Sequence, residues 1–323
     1  MSVDAPFPWF GGKSAITPQV WAALGNVEHY IEPFFGSGAV LLQRPHLPKF
    51  ETVNDVDGLL SNFWRAVRAE PDTVADHADW PCNEADLHAR HIWLNGQRER
   101  LTERLMGDAS FFDAKAAGWW VWGACNWIGS GWCSGEGPWI SVDGVLVDLR
   151  QLPHLTGAQG VNRQLPHLTE GRGVNRKLFI LEWFNALAGR LRDTRVVCGD
   201  WSRVVGPSVL TAGGGICGVF LDPPYDLDTR ADVYACESGA AHEARQWCAE
   251  NGDNPQLRIV LAGYAGEHDE LETAGWRVTA WKARGGYGSQ GEGRGRENAR
   301  RERLWFSPHC MGVAPDLFAE IAA

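Results

Sequence analysis

Residues 28–40 read EHYIEPFFGSGAV, and this stretch decides the fold. Its first part, 28–35, has the composition of a strand, and Gly36-Ser37-Gly38 then turns the chain into the start of a helix. A second predicted strand at 50–56 and an amphipathic helix at 58–68 follow. Because strand, glycine turn, helix and strand in this order form a βαβ unit, the sequence predicts an α/β fold with a parallel sheet.

The α/β alternation stops at residue 69 and returns near residue 177. The later predicted elements are a helix at 178–192, strands at 195–198, 218–221 and 258–262, and a closing antiparallel pair at 278–281 and 304–306. We therefore predict a discontinuous main domain, 1–68 and 177–310, with an inserted module between its parts. The insert, 69–176, is rich in Trp, Gly, His and Pro, and a tail covers 311–323.

The insert contains a tandem repeat at 151–176. The segment QLPHLTGAQGVNR is followed at once by QLPHLTEGRGVNR, with 10 of 13 positions identical. Two copies of so short a unit do not build a solenoid. A recent duplication in a tolerant surface loop explains the repeat. A doubled basic loop that contacts a polyanion explains it as well, since residues 150–195 hold eight Arg and Lys against three acidic residues.

Composition excludes several classes of protein. Of the 323 residues, 44% are apolar and 22% are charged, which is typical of a globular chain and not of disorder, collagen or a coiled coil. The net charge of −10 argues against a protein whose whole surface binds nucleic acid. A local basic groove is still compatible with it.

The chain shows no pattern typical of membrane insertion or metal binding. Its first residues have no secretory signal, and the uncharged stretch 116–135 is too rich in Trp and Gly to predict a membrane span. The eight Cys form no CxxC pair and no Cys/His ligand spacing, so we predict no metal site. Without a signal they indicate reduced thiols in a cytoplasmic protein. No membrane contact and no obligatory protein partner is expected.

Residues 222–225, Asp-Pro-Pro-Tyr, follow the predicted strand 218–221. Pro223 and Pro224 stiffen the segment and remove two backbone donors, so the Asp222 carboxylate and a rigid carbonyl form a pair of acceptors. Such a pair matches the two hydrogens of an exocyclic NH₂ group, and the Tyr225 ring is placed to stack on the ring that carries it. The same residues also fit a simple turn at the end of a strand.

The glycine turn predicts the close approach of a ligand. Gly36 and Gly38 allow the backbone to come near a cofactor, and the start of a helix favours an anionic group such as a carboxylate. A dinucleotide fingerprint requires a third glycine where Leu41 stands, which argues against nicotinamide and flavin. Asp55, an acid at the end of the second strand, is placed to hold ribose hydroxyls.

A third motif, Trp-Phe-Gly-Gly-Lys, occupies residues 9–13. Its glycines allow the Lys13 ammonium to approach a pocket lined by backbone. The spacing of a phosphate-binding P-loop is absent. Taken alone, the motif is more typical of an exposed turn.

Together the three motifs resemble those of the DNA adenine-N6 methyltransferases. The order is W-x-G-G-K, E-P-F-x-G-x-G, N-D-x-D, an insert, G-D and D-P-P-Y, and it covers about residues 7–68 and 178–306. In this family order the target-recognition module lies between the cofactor and catalytic motifs. The resemblance implies a Rossmann-like fold that uses S-adenosylmethionine, with residues 69–176 as a DNA-recognition module. It also suggests a phage-like or prophage-like member and a restriction-modification context.

The resemblance implies roles for individual residues. The predicted cofactor contacts are Trp9, Lys13, Glu32, Phe34, Gly36, Gly38, Asp55, Asp200 and Asp222. Within this set, the Phe34 to Gly38 turn is expected to wrap the methionine moiety. The ribose is assigned to Asp55 and the cofactor's adenine to Asp200. The predicted catalytic residues, which hold a target base flipped out of the duplex, are Asp222, Pro223, Pro224 and Tyr225.

Double-stranded DNA is the partner that the resemblance implies. Trp127 and Trp132 lie among Gly and Ser, and we predict that they stack on bases. Family members carry an aromatic–Asn–Gly stretch followed by a basic residue here. In this chain Gly129-Ser130-Gly131 and Cys133 stand in those places, so the recognition sequence is left open.

Basic residues in two loops are the predicted phosphate contacts. The loop 282–303 carries seven Lys and Arg against three Glu, which fits contact with DNA and also fits a flexible connection. The predicted contacts are Arg172, Arg176, Arg294, Arg296, Arg300 and Arg301.

The sequence thus predicts a site-specific DNA methyltransferase that moves a methyl group from S-adenosylmethionine to adenine N6. One alternative keeps the fold and changes the acceptor to cytosine N4 or to RNA. A second alternative is a DNA-binding protein without turnover.

Overall fold

The structure, a computed structural model, describes residues 3–7, 9, 12–47, 49–127, 132–133, 139–142, 145–148, 176–224, 239–281 and 301–312. The strands are β1 His29–Glu32, β2 Phe50–Asp55, β3 Trp139–Val142, β4 Val145–Asp148, β5 Thr194–Cys198, β6 Cys217–Leu221, β7 Leu257–Tyr264, β8 Arg277–Ala280 and β9 Glu302–Phe306. The helices are α1 Thr17–Leu24, α2 Ala39–Leu42, α3 Gly58–Ala69, α4 Pro71–Ala78, α5 Glu84–Gly107, α6 Ala114–Asn126, α7 Arg176–Leu191, α8 Pro207–Leu210, α9 Ala240–Asn251 and α10 Glu270–Thr273.

Seven strands form one mixed sheet in the order β5-β2-β1-β6-β7-β9-β8. The first five strands in that order pair in parallel, and β9 runs antiparallel to both β7 and β8. Every residue of β1 and β6 is buried, as expected for central strands covered on both faces. This sheet confirms the predicted α/β fold and its closing antiparallel pair, and it is consistent with a Rossmann-like methyltransferase.

Helix α3 is capped by its own sequence and is held to neighbouring elements by one arginine. The Asp57 carboxylate caps its start by accepting the N–H of Leu59 at 2.9 Å. Near the helix centre, the Arg65 guanidinium is buried and donates to the carbonyls of Leu105 at 2.9 Å and Val196 at 3.2 Å. This one side chain therefore ties α3 to both α5 and β5.

The helices of the predicted insert share a core with the main domain. The Phe63 ring of α3 lies 5.7 Å from the Trp120 ring of α6 and 6.0 Å from the Phe184 ring of α7. Helix α4 packs against α6 and α7. The described part of 69–176 thus packs against helices α3 and α7, and the inserted recognition module stays a prediction.

The helix that follows the glycine turn is short. Helix α2, which follows the glycine turn, spans four residues, so it has little macrodipole with which to attract an anion.

The tandem repeat lies outside the described residues up to its last position, Arg176. No helix among the described residues is long and apolar enough to cross a membrane. The described residues also contain no group of three or more His, Cys, Asp or Glu arranged to hold a metal ion.

Candidate active site

The parallel strands bring the predicted site residues to one edge of the sheet. Glu32 ends β1, Asp55 ends β2, and Asp222 follows the last residue of β6. Neighbours β1 and β6 are far apart in sequence, so the strand order changes direction between them. A crevice for ligands is expected at the carboxyl ends of strands at such a switch point.

The glycine turn after β1 has a left-handed backbone that favours glycine. Gly36 and Gly38 have φ angles of +48° and +66°. A side chain at Gly36 would come within 2.7 Å of Nε1 of Trp9, and one at Gly38 within 2.6 Å of the Phe35 ring. The Trp64 indole fixes the turn by donating to the Gly36 carbonyl at 3.0 Å. Trp9 therefore lies directly against the turn, as the predicted cofactor site requires.

Asn54, which we had not singled out from the sequence, holds three strand ends together. Its side-chain NH₂ donates to the Pro33 carbonyl at 3.0 Å and to the Gly199 carbonyl at 2.9 Å. The backbone N–H of Phe35 donates in turn to the Asn54 carbonyl at 2.9 Å. One buried amide thus connects the segments that follow β1 and β5 to β2. The N-D-x-D pattern was the signal that marked this position.

The Asp55 carboxylate is tied to the glycine turn. It accepts the N–H of Gly36 at 3.0 Å and the N–H of Asp57 at 2.9 Å. Desolvation by burial raises its pKa to about 7, although these backbone donors favour the charged form. The side chain predicted to hold a ribose therefore also shapes the turn, and its charge changes near neutral pH.

Two further predicted cofactor residues, Phe34 and Asp200, lie in the segments that follow β1 and β5. Asp200 follows β5 and caps a 3-10 turn, where its carboxylate accepts the N–H of Ser202 at 2.9 Å. Phe34 stacks on Trp201, with ring centroids 5.7 Å apart and planes at 28°. The Phe34 ring is therefore packed against the segment that carries Asp200.

Lys13 connects the N-terminal motif to the segment after β6. Its ammonium is 3.0 Å from Oδ1 of Asp222 and 3.9 Å from Oε2 of Glu302, and only 6% of the residue is exposed. The ring of Trp281 lies 5.6 Å from the same nitrogen. The structure thus places Lys13 and Asp222 in direct contact, although 208 positions separate them in the sequence.

Glu32 is buried beneath this ion pair. It is 3% exposed and accepts the Tyr30 hydroxyl at 2.9 Å. Burial, together with the nearby Asp222 charge, raises its pKa well above the usual range. A direct contact between Glu32 and the cofactor stays a prediction.

The two tryptophans predicted to stack on DNA bases have partners within the protein. Trp127 stacks on His91, with centroids 5.0 Å apart and planes at 9°. Trp132 donates from its indole to the Trp120 carbonyl at 3.0 Å, and its ring lies against Gly123. Burial lowers the pKa of His91 to about 4, so the His91 ring is neutral in this stack at neutral pH. These contacts indicate packing, and the stacking on DNA stays a prediction.

Few of the other predicted residues have described side chains. Arg301 lies beside Tyr264, at the end of β7, with its guanidinium 5.4 Å from the ring. Burial and the Glu302 carboxylate raise the pKa of Tyr264 to about 12. Arg176 begins α7. The predicted residues that lie outside the described part are Tyr225, Arg172, Arg294, Arg296 and Arg300.

Besides Asn54, three further residues at this edge were not predicted from the sequence. Val56 follows Asp55 and is 48% exposed, so it offers an apolar surface beside the predicted ribose site. Its place inside the N-D-V-D pattern was the available signal. Glu302 and Trp281 border Lys13, but they come from a hairpin whose pairing with β7 had to be known first.

Comparison with known proteins supports the same interpretation. Residues 9–85 match the model of the D12 class N6 adenine-specific DNA methyltransferase family. No curated protein matches the chain. The matched range includes Trp9, Lys13, the glycine turn and Asp55, while the D-P-P-Y segment lies beyond it. The resemblance to adenine-specific DNA methyltransferases that the motifs carry is therefore confirmed over residues 9–85.

Proposed function

We propose that this protein transfers a methyl group from S-adenosylmethionine to the exocyclic N6 of an adenine flipped out of duplex DNA. The observation that carries the proposal is the 3.0 Å contact between Lys13 and Asp222. It joins a motif inside the family match to the D-P-P segment outside it, at the switch point of the sheet. The motif that we assign to the cofactor and the segment that we assign to the target base therefore contact each other at the carboxyl ends of the strands.

The residues at the crevice fit the cofactor. A Cβ at Gly36 or Gly38 would meet the Trp9 or Phe35 ring, so the two left-handed glycines let these rings pack against the turn that we assign to the cofactor. Asp55 offers carboxylate acceptors for ribose hydroxyls, and the exposed Val56 side chain offers an apolar contact for a planar base. S-adenosylmethionine, when bound, supplies a methyl group on an electrophilic sulfonium.

Asp222 and the following prolines fit the amine of the target base. The Asp222 carboxylate is partly exposed at the crevice, and Pro223 cannot donate a backbone hydrogen bond, so this segment presents acceptors. Accepting the two N–H groups of an exocyclic amine turns the nitrogen lone pair toward an electrophile. Asp222 therefore orients the amine, and catalysis depends on the proximity of the two reacting groups. Tyr225 is assigned to stacking on the same base.

The test is methyl transfer from tritiated S-adenosylmethionine to duplex DNA of mixed sequence. The DNA is then digested, and the modified nucleoside is identified by mass spectrometry. We expect N6-methyladenine in duplex DNA and no label in RNA of the same sequence. N4-methylcytosine or labelled RNA would establish the alternative acceptor. Cofactor and DNA binding without any transfer would establish a binding protein without turnover.

A further inference from the structure

The antiparallel hairpin at the edge of the sheet completes the surroundings of Lys13. Strand β9 pairs with β7, and Glu302 lies opposite Tyr264 in that register. The backbone N–H of Trp281 donates to the Glu302 carbonyl at 3.2 Å, which holds the two residues side by side. The hairpin therefore presents a carboxylate and an indole to the same ammonium group.

Glu302 is placed where a carboxylate requires a partner. It is 5% exposed, and the desolvation of a buried charge is costly unless a cation or hydrogen bonds compensate it. The Lys13 ammonium, 3.9 Å away, is such a cation. At 3.9 Å the attraction between Lys13 and Glu302 is electrostatic and not a hydrogen bond, while the same ammonium contacts Asp222 at 3.0 Å and has the Trp281 ring beside it.

The position of Lys13 decides how the Asp222 carboxylate is turned. The ion pair uses Oδ1 of Asp222, so a shift of the ammonium also shifts the carboxylate and the direction of its Oδ2. Removing the Glu302 charge removes one of the attractions that hold the Lys13 ammonium in place. The ammonium can then follow Asp222 instead of fixing it.

We propose that Glu302 is a positioning residue for methyl transfer: it holds the Lys13 ammonium in place, and Lys13 in turn orients the Asp222 carboxylate toward the target amine. This inference rests on the proposed function. It predicts that the effect of a change at Glu302 on methyl transfer depends on Lys13. A carboxylate that merely stabilised the hairpin would act independently of Lys13.

The experiment is a double-mutant cycle with Glu302→Gln and Lys13→Met, read by kcat and KM of methyl transfer. We expect Glu302→Gln to lower kcat about tenfold, because small misplacement of an orienting group is costly, with the KM for DNA changed by less than about twofold. Glu302→Asp keeps the charge and is expected to keep most of the activity. In the Lys13→Met background, Glu302→Gln should have no further effect. Additive losses in kcat would overturn the proposal.

Two controls separate this proposal from loss of structure and from failure of the proposed function. Glu270→Gln removes an exposed carboxylate of α10 that pairs with Arg245 of α9, and it should leave kcat unchanged. If Glu302→Gln does not fold, the cycle is run with Glu302→Ala, which also removes the charge. A loss of kcat that persists at full size in Lys13→Met would then overturn the proposal.

For the same four proteins, calorimetry also measures the dissociation constant of S-adenosylhomocysteine. This measurement requires no methyl acceptor. We expect Glu302→Gln to weaken this binding about threefold, and to have no effect once Lys13 is Met. An absence of transfer by the unmodified protein would contradict the proposed function. Additive effects on S-adenosylhomocysteine binding would contradict the role of Glu302.

Discussion

The strand-end site and the tryptophan-rich segment around α6 were both predicted from short motifs, but their residues have different surroundings in the structure. At the strand ends, Asp55 and Asp222 lie together at the edge where a parallel sheet must place them. In the tryptophan-rich segment, Trp127 and Trp132 contact His91 and Trp120 within the protein. The difference teaches that backbone topology locates a strand-end residue, whereas the role of an aromatic side chain depends on its neighbours in space.

The largest expected effect concerns Asp222, in the strand-end site. Asp222→Ala should lower kcat by about 1000-fold or more, because the orienting acceptor for the target amine is removed. Binding of S-adenosylmethionine should weaken only modestly, since Lys13 keeps Glu302 as a neighbour. The measurement is kcat by tritium transfer, together with the cofactor dissociation constant by calorimetry. Asp253→Ala, at a fully exposed aspartate, is the matched control, and full transfer by Asp222→Ala would refute the assignment.

The second expected effect concerns the basic loop beyond α10 and β8. Changing Arg294, Arg296, Arg300 and Arg301 to Gln should weaken duplex binding about 10- to 100-fold at moderate salt, equally for all sequences. Each phosphate contact that is lost should remove roughly 0.9 from the slope of log affinity against log salt. The measurement is that slope for both proteins on two unrelated duplexes.

A second fourfold variant tests the competing basic surface. It changes Arg163, Arg172, Arg176 and Lys177 to Gln, while Arg100→Gln serves as the control at an exposed arginine of α5. An unchanged slope for the loop variant, with a reduced slope for this one, would move the DNA contact to the repeat region.

Whether a feature could be predicted from the sequence has a different physical reason at each position. The βαβ unit was predictable because the glycine turn and the alternation of elements are local patterns, and Asp55 and Asp222 followed from it. Glu302 was not predictable, since its contact with Lys13 depends on the antiparallel pairing of β9 with β7. The size of α2 was not predictable either, because a helix start does not determine where the helix ends.

The third expected effect tests the packing in the tryptophan-rich segment. A methyl group at Gly123 would overlap the Trp132 ring, so Gly123→Ala should lower the free energy of unfolding by about 1–3 kcal/mol. Gly96→Ala is the control within α5, where nothing lies within 4 Å of the added carbon, and it should be neutral or slightly stabilising. Urea unfolding measures both variants. If Gly123→Ala leaves stability intact and weakens only DNA binding, Trp132 acts as a stacking residue after all.

The smallest expected effect concerns the protonation of Asp55. Its raised pKa means that the folded protein holds this proton more tightly than the unfolded chain does. The resulting contribution to stability is complete below about pH 4 and is lost as the pH rises through about 7. Asp55→Asn removes this dependence. Urea unfolding between pH 4 and 8 should therefore show a flatter profile for the variant than for the unmodified protein.

Binding of S-adenosylmethionine should show the opposite trend with pH, because an ionised Asp55 is the better acceptor for ribose hydroxyls. The pKa of about 7 places the change within the working range of most assays. Between pH 6 and 8 we expect affinity to rise by less than about tenfold, since the ionised fraction changes by that factor. Calorimetric titration with the unmodified protein and with Asp55→Asn measures it. The variant should bind more weakly at pH 8, and its affinity should not change with pH. An equal rise in both proteins would show that another group controls the pH dependence and that the ribose does not contact the Asp55 carboxylate.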